Sequence, residues 1–201
     1  MVMNKSRGRP RGGSDAKERI LAAAKTAFLR HGYNATTMRA VASAADVDPA
    51  LISYHFRSKQ GLFGEAMALG ISPGQVMARV LEAGPEQMPE QIVRAVLAVW
   101  DDPEFGGSLT LLVTQAQRDP ALMRALREYV ERELTARLAE RIGGTDAAER
   151  AGAVLTTTLG LIFSRYVLRL NPMAVMDSEQ IVGLLAPGVG ALLRPARSAD
   201  E

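Results

Sequence analysis

Basic side chains, which suit the binding of a polyanion, are concentrated near the start of this sequence. Residues 1–70 contain eleven Lys and Arg against five Asp and Glu, a net charge of +6, whereas residues 71–201 contain thirteen against seventeen, a net charge of −4. This asymmetry indicates a polyanion-binding segment joined to a segment with another task. Chance clustering of solvated surface charge would give the same count.

Residue types that support catalysis or metal binding are scarce in the rest of the chain. The absence of cysteine excludes disulfides, thiolate metal sites and cysteine nucleophiles. Both histidines lie in the first sixty residues, so the remainder has no histidine base or His-rich metal site. Glu131 and Glu133 are expected on a solvated face. Glu128 with Arg132, and Glu133 with Arg137, have the i,i+4 spacing of ordinary ion pairs on an amphipathic helix. We expect no enzyme, no metal site and no cofactor.

No segment predicts a membrane span or an export signal. The apolar stretch 154–163 is too short to cross a bilayer, and the first residues are polar and basic without an apolar core. With 201 residues, 47% of them hydrophobic, the chain can bury a sizeable core. We therefore expect a cytoplasmic protein with no membrane partner.

Helical periodicity recurs along the whole chain without sustained strand alternation, so the predicted fold class is all-α, with about ten helices. Asp15 (or Ser14), Thr37, Asp48 and Ser58 are placed to cap the first four helices, and Gly32 to end the first. Further helices are expected at about 73–82, 86–100, 105–117, 120–141, 146–170 and 178–194, between Gly- and Pro-containing breaks. Ser72 and Gln75 have the spacing of a capping box at the first of these.

The second and third helices have helix-turn-helix dimensions. Both are short, the turn between them comprises only residues 46–48, and the small side chains of Ala42 and Ala45 would let them cross closely. The third helix carries Ser53, Tyr54 and His55, which cannot all be buried. Such a helix can lie in a major groove with its first turns facing base edges.

The residues of this segment resemble a known family. GYNATTMRAVA at 32–42, Val47, and YHFRSKQGLF at 54–63 are similar to the tetracycline-repressor (TetR) family of transcriptional regulators. The resemblance covers roughly residues 14–70. It implies a homodimer whose two recognition helices enter successive major grooves of a pseudo-palindromic operator, which would associate the protein with the nucleoid when bound.

The resemblance also implies individual DNA contacts. Thr37 would bind a phosphate at a helix N-terminus, Tyr54 would donate its hydroxyl to a phosphate, and Lys59 would add a charged contact. The candidates for reading bases are Pro49, Ala50, Ser53 and His55, and the further candidates for DNA contact are Thr36, Arg39 and Asp48.

Several of these residues have a second interpretation. His55 could pack against the fourth helix, Thr37 could serve only as a cap, and Arg39 could be a solvated charge. Ser53 departs from the family pattern, which commonly has an aromatic residue there, so that an aromatic contact falls to Tyr54 alone.

The N-terminal tail gives a second indication of DNA binding. Arg7, Gly8, Arg9, Pro10 and Arg11 resemble the core of an AT-hook, an extended arm that places arginines in a narrow minor groove. An unstructured basic tail that only raises non-specific affinity would fit the same residues.

The last two long helices are candidates for self-association. Gly152, Thr156, Gly160 and Ser164 recur every four residues and form a ribbon of small side chains that permits close approach of another helix. The candidate contacts on the last helix, which Pro187 is expected to kink, are Ile181, Leu184, Leu185 and Leu192. The resemblance implies a four-helix dimer interface here, whereas packing inside a monomer core is the alternative.

The resemblance further implies a pocket for a small-molecule effector among the middle helices. The candidates are Met77, Trp100, Leu109, Val113, Met123 and Phe163, which would suit an apolar ligand but would equally suit any core. The predicted organisation is a flexible basic arm (1–13), a DNA-binding domain (14–70), an effector-binding and dimerisation domain (71–195) and a disordered tail (196–201).

The predicted function is a repressor that a small apolar ligand releases from its operator. An activator or an effector-independent regulator is the alternative within DNA binding. A helical interaction protein without operator recognition is the alternative from another class, and the intact set of Thr37, Tyr54, His55 and Lys59 argues against it.

Overall fold

The computed structural model describes residues 12–70 and 72–195, which are all-helical and contain no strand, as predicted. The α-helices are α1 Gly12–Ala35, α2 Met38–Ala45, α3 Pro49–Phe56, α4 Lys59–Ala66, α5 Pro73–Leu81, α6 Met88–Trp100, α7 Gly106–Ala116, α8 Pro120–Val130, α9 Ala136–Ile142, α10 Ala147–Ile162 and α11 Ser178–Leu193. A π-helical turn, Glu131–Thr135, joins α8 and α9 into one rod, and a second, Phe163–Val167, extends α10. Arg7, Arg9 and Arg11 of the tail, and residues 196–201, lie outside the described residues.

None of the helices within the described ranges combines the length and the apolar character needed to cross a membrane.

Local capping bonds account for where the first helices begin. Thr37 accepts from the Ala40 N–H at 3.1 Å, Asp48 from the Ala50 N–H at 2.7 Å, and Ser58 from the Gly61 N–H at 3.1 Å. All three are the predicted caps. The first helix instead begins at Gly12, so that Asp15 is exposed within its first turn rather than capping it, where a carboxylate still favours the helix dipole.

The predicted capping box at α5 is wrong. Ser72 precedes the helix, but its side chain makes no capping bond. The hydroxyl of Tyr129, on α8, accepts from the Gly74 N–H at 2.9 Å instead. An orphan donor of one helix is thus satisfied by a distant helix, which a local sequence pattern cannot reveal.

Two apolar cores hold the helices together, and the first extends beyond the DNA-binding segment. It combines side chains of α1 to α4 with Leu109 and Leu112 of α7 and with Leu122, Ala125 and Tyr129 of α8. The second core joins α5, α6, α9, α10 and α11. Packing is therefore continuous across residue 70, where the sequence suggested a domain boundary.

Four buried aromatic rings form the centre of the first core. They are Phe28 and Tyr33 of α1, Phe63 of α4 and Tyr129 of α8, and Phe28 packs on both Tyr33 and Phe63. The rings of Phe63 and Tyr129 stack with centroids 4.6 Å apart, and Tyr33 meets both of them edge to face at 5.2 Å. Contacts of this kind add stability beyond the area that they bury.

Polar contacts fasten the same helices. The hydroxyl of Tyr33 donates to Oε1 of Glu133 at 2.6 Å, inside the protein. Burial raises the pKa of Tyr33 well above its usual value, and the hydrogen bond to Glu133 adds to the shift, so Tyr33 remains a protonated donor. Glu133 also pairs with Arg137 at 2.7 Å, as its spacing predicted, but it is buried rather than solvated.

Two further side chains of α8 hold the end of α1. Arg124 donates to the carbonyl oxygen of Leu29 at 2.9 Å, which satisfies an acceptor in the last turn of the regular helix. Glu128 accepts from the backbone N–H of Asn34 at 2.8 Å. Glu128 is thus directed at the end of α1, rather than along its own helix towards Arg132 as the spacing predicted.

Gly32 ends the regular part of α1, as predicted, with φ of +83°. A Cβ added there would lie 2.5 Å from Oε2 of Glu128. Because a positive φ strains any other residue, Gly32→Ala should lower the free energy of unfolding by about 1–3 kcal/mol in urea denaturation at a fixed protein concentration. The same change at Gly84, where an added Cβ meets nothing within 4 Å, should leave it unchanged or slightly raised. Equal effects at both positions would contradict this assignment.

Candidate nucleic-acid interface

The turn between α2 and α3 is fixed from both sides. Asp46 adopts a left-handed conformation with φ of +50°, and the N–H of Val47 donates to the Ala42 carbonyl at 3.1 Å, which ends α2 sharply. From α1, the guanidinium of Arg19 donates to the Ala45 carbonyl at 3.0 Å. Residues 46–48 therefore set a defined angle between two short helices, as a helix-turn-helix requires.

Helix α3 is anchored on one face and open on the other. Ile52 and Phe56 are buried in the first core. Ala50, Ser53 and Tyr54 are exposed away from them, with Tyr54 79% exposed, and Pro49 is exposed at the start of the helix.

His55 and Asp48 flank this open face. His55 is half-buried, and its ring lies between those of Tyr54 and Phe56, at centroid distances of 5.2 and 5.9 Å. His55 therefore packs against its neighbours and also lies at the edge of the open face. Asp48 is exposed, but its carboxylate is already engaged in capping α3.

The start of α2 lies beside this face and carries further candidates. Thr37 and Arg39 are exposed. Thr36 is only 3% exposed, and its hydroxyl donates to the Gly32 carbonyl at 2.8 Å. The predicted DNA contact of Thr36 is therefore wrong, since its side chain faces inward and fastens the loop that carries Thr37.

Lys59 supports the end of α1, which precedes this loop. Its Nζ donates to the Asn34 carbonyl at 3.1 Å and lies 4.5 Å from the centre of the Tyr33 ring. Burial lowers the pKa of Lys59, and the carboxylates of Glu133 and Glu128 partly oppose that shift. The ammonium group thus links the start of α4 to the end of α1. If Lys59 contacts a DNA phosphate, the same ammonium group makes both contacts.

A second exposed face is formed by α10 and α11. Thr156 and Gly160 are exposed, Gly152 and Ser164 are half-buried, and a Cβ added at Gly152 or Gly160 would meet nothing within 4 Å. On α11, Leu184 is 63% exposed.

The other three candidates on α11 face inward. Ile181 is completely buried in the second core, and Leu185 and Leu192 are half-buried against it. Ile181 cannot contact a partner because its side chain is fully covered by the second core of its own subunit. Its predicted place in an interface between subunits is wrong.

The middle helices line a cavity of about 200 Å³. Met77, Trp100, Leu109 and Val113 line it, as do side chains of the α8–α9 rod and of α10. Met123 and Phe163 are not among the lining residues. Met123 is exposed on the outer side of α8. Phe163 lies half-buried in the π-helical turn that follows Ile162, just beyond the last residue of α10 that lines the cavity.

Family models match both parts of the chain. The model described as bacterial regulatory proteins, tetR family, matches residues 20–66 and thus contains α2 and α3. The model described as tetracyclin repressor-like, C-terminal domain, matches residues 86–193, more than half of the chain. The chain belongs to the TetR family. Members of this family are transcription regulators and not enzymes.

Individual TetR-family relatives are similar over shorter stretches. An HTH-type transcriptional regulator of Mycobacterium tuberculosis H37Rv is 30% identical over 125 residues, which are 62% of this chain and 58% of the relative. The probable acrEF/envCD operon repressor of Escherichia coli K12 is 32% identical over 83 residues, 41% of this chain and 38% of that protein. The chain thus spans less than two thirds of the length of these relatives.

A solved structure shares the fold of this TetR-family chain. A TetR-family transcriptional regulator from Mesorhizobium loti MAFF303099 has a TM-score of 0.50 and 23% identity, and the match covers 92% of this chain and 98% of that one. At this identity the likeness concerns the fold alone.

Tyr54→Phe should weaken DNA binding without affecting stability, because the side chain is exposed and the change removes only a hydroxyl. A hydrogen bond to a charged phosphate contributes about 1.5–3 kcal/mol, so we expect a loss of affinity of about tenfold or more. Fluorescence anisotropy with a duplex that the wild-type protein selects from a random library would measure it. Tyr166→Phe is the control, since that hydroxyl donates to Asp101 at 2.9 Å, in the other part of the molecule. An unchanged affinity in the Tyr54 variant would remove this residue from the interface.

Proposed function

We propose that this protein is a dimeric repressor that binds a pseudo-palindromic operator and leaves it when a small apolar ligand occupies the cavity. The observation that carries the proposal is the open face of α3. Ala50, Ser53 and Tyr54 project from a helix that Ile52 and Phe56 hold rigidly against the core. A rigid helix with small and polar side chains on its exposed face can approach base edges in a major groove. The name of the Escherichia coli relative, an operon repressor, supports repression rather than activation.

A pseudo-palindromic operator requires two recognition helices, and the exposed face of α10 and α11 supports dimerisation. Gly160 and Thr156 lie beside Leu159, which is exposed although it is large and apolar. Leu184 of α11 is exposed as well. Small residues that let two helices approach closely, next to exposed leucines, are suited to a helical interface between identical subunits.

Shared side chains between the cavity and the first core support a response to ligand. Leu109, Leu112 and Tyr129 each line the cavity and belong to the core that holds α1 to α4. The Tyr129 ring stacks on Phe63 of α4, the helix that follows the recognition helix. A ligand that favours a different arrangement of α7 and α8 would therefore alter the support of α3, and DNA and ligand would select different states.

Selection of DNA from a random library tests the operator and the dimer together. We expect the wild-type protein to recover an inverted repeat whose half-sites face successive turns of the duplex. Gly160→Arg places a large charge on the proposed dimer face, where an added Cβ meets no neighbour within the subunit. This variant should sediment as a monomer and lose most of its operator affinity.

Gly107→Arg is the matched control for the dimer, because that glycine is exposed on α7 and has equally open surroundings. It should sediment and bind DNA like the wild type. A Gly160→Arg protein that stays dimeric would place the interface elsewhere. If the wild-type protein selects no preferred DNA sequence, the proposal that it recognises an operator is wrong.

The basic arm should contribute mainly through phosphate charge. Deletion of residues 1–11 removes Lys5, Arg7, Arg9 and Arg11. Each lost phosphate contact lowers the slope of log affinity against log salt concentration by about 0.9, so the truncated protein should bind more weakly and with a flatter slope. If the arm enters a minor groove, replacing A·T by G·C pairs beside the half-sites should weaken only the full-length protein. An unchanged slope after truncation would show that the arm does not contact DNA.

A further inference from the structure

We propose that the cavity selects an uncharged, hydrocarbon-like molecule about the size of an alkylbenzene and excludes ions. This inference rests on the proposed function, because it specifies the class of ligand for the same cavity. Three features of the wall lead to it: the absence of charge, the engagement of its hydroxyl groups inside the protein, and the volume that it encloses.

The described residues that line the cavity include no acidic or basic side chain. Most of the wall is aliphatic, with Met77 and the rings of Trp100 and Tyr129 as its largest other groups. An ion that enters such a space loses several kcal/mol of hydration without a counter-charge to compensate. The wall therefore discriminates against both cations and anions.

The hydroxyl groups of the wall are already used within the protein. Tyr129 accepts from the Gly74 N–H at 2.9 Å, and Thr158 donates to the Leu155 carbonyl at 2.9 Å. Thr135 donates to the Val130 carbonyl at 3.4 Å. A neutral donor such as the indole N–H of Trp100 cannot replace the hydration shell of an ion. Recognition must therefore come from shape and from burial of apolar surface.

The volume of the cavity indicates a small ligand. At about 200 Å³, the cavity is somewhat larger than an engineered apolar cavity of about 150 Å³ that binds benzene. It is smaller than the roughly 300–1,000 Å³ of sites for drug-sized molecules. One aromatic ring with a short alkyl chain, about ten non-hydrogen atoms, matches this space.

Three probes of nearly the same shape test the proposal on the whole chain. They are n-butylbenzene, 3-phenylpropylammonium, in which a charged amine replaces the terminal methyl group, and 3-phenylpropanoate. Trp100 lies on the wall and is the only tryptophan of the sequence, so its fluorescence reports occupancy directly. We expect n-butylbenzene to bind at least a hundredfold more tightly than either ion. Comparable binding of an ion, or no binding of n-butylbenzene up to its solubility limit, would overturn the proposal.

A pair of variants on α6 locates the ligand. Ala95 lines the cavity, whereas Ala98 is exposed on the same helix and does not. Ala95→Phe should abolish binding of n-butylbenzene, and Ala98→Phe should leave it unchanged. Val113→Phe, also on the wall, serves as a second filling variant if circular dichroism shows that Ala95→Phe does not fold. Wild-type affinity in a folded filling variant would place the ligand elsewhere and overturn the proposal.

A separate measurement of DNA release distinguishes this inference from the proposed function. Tight binding of n-butylbenzene, reported by Trp100, without release of the selected duplex would support the ligand class and contradict regulation by ligand. Release of the duplex by one of the ions, with n-butylbenzene inactive, would support regulation by ligand and overturn the ligand class.

Discussion

The buried hydrogen bond between Tyr33 and Glu133 is the constraint on which the arrangement of this molecule depends. A carboxylate inside a protein is tolerated only when it is paired, and Glu133 is held by the Tyr33 hydroxyl on one side and by Arg137 on the other. The position of Tyr33 at the end of α1 is thereby fixed relative to the α8–α9 rod. Because the aromatic rings of Phe63 and Tyr129 pack around the same tyrosine, the DNA-binding helices have no core that is wholly their own.

Most of the helices, and the exposed face of α3, could be predicted from the sequence because they depend on short-range chemistry. The caps at Thr37, Asp48 and Ser58 form bonds two or three residues away, which spacing alone can identify. The alternation of Ile52 and Phe56 with Ser53 and Tyr54 likewise separates a buried side of a short helix from an exposed one.

Predictions failed where an irregular stretch of backbone or another helix decides the contact. A threonine next to a cap looks like a surface residue, yet Thr36 faces inward because the conformation of Gly32 places a carbonyl within its reach. The i,i+4 spacing of Glu128 and Arg132 cannot reveal that the end of α1 approaches Glu128. In α11 four apolar residues were candidates for the dimer face, but only the packing of the second core shows that Ile181 is buried and Leu184 exposed. Periodicity identifies the faces of a helix but not the neighbour of each face.

The π-helical turn at residues 131–135 has a geometric consequence for the rod that contains it. A π turn holds more residues than an α turn, so it offsets the angular phase of everything that follows. Before it, Leu122, Ala125 and Tyr129 point into the first core; after it, Leu138 points into the second. One continuous rod thus contributes side chains to both cores, and the turn lies between the two sets. A twist of the backbone at residues 131–135 would therefore rotate α8 and α9 relative to each other, and with them the side chains that the rod places in the two cores.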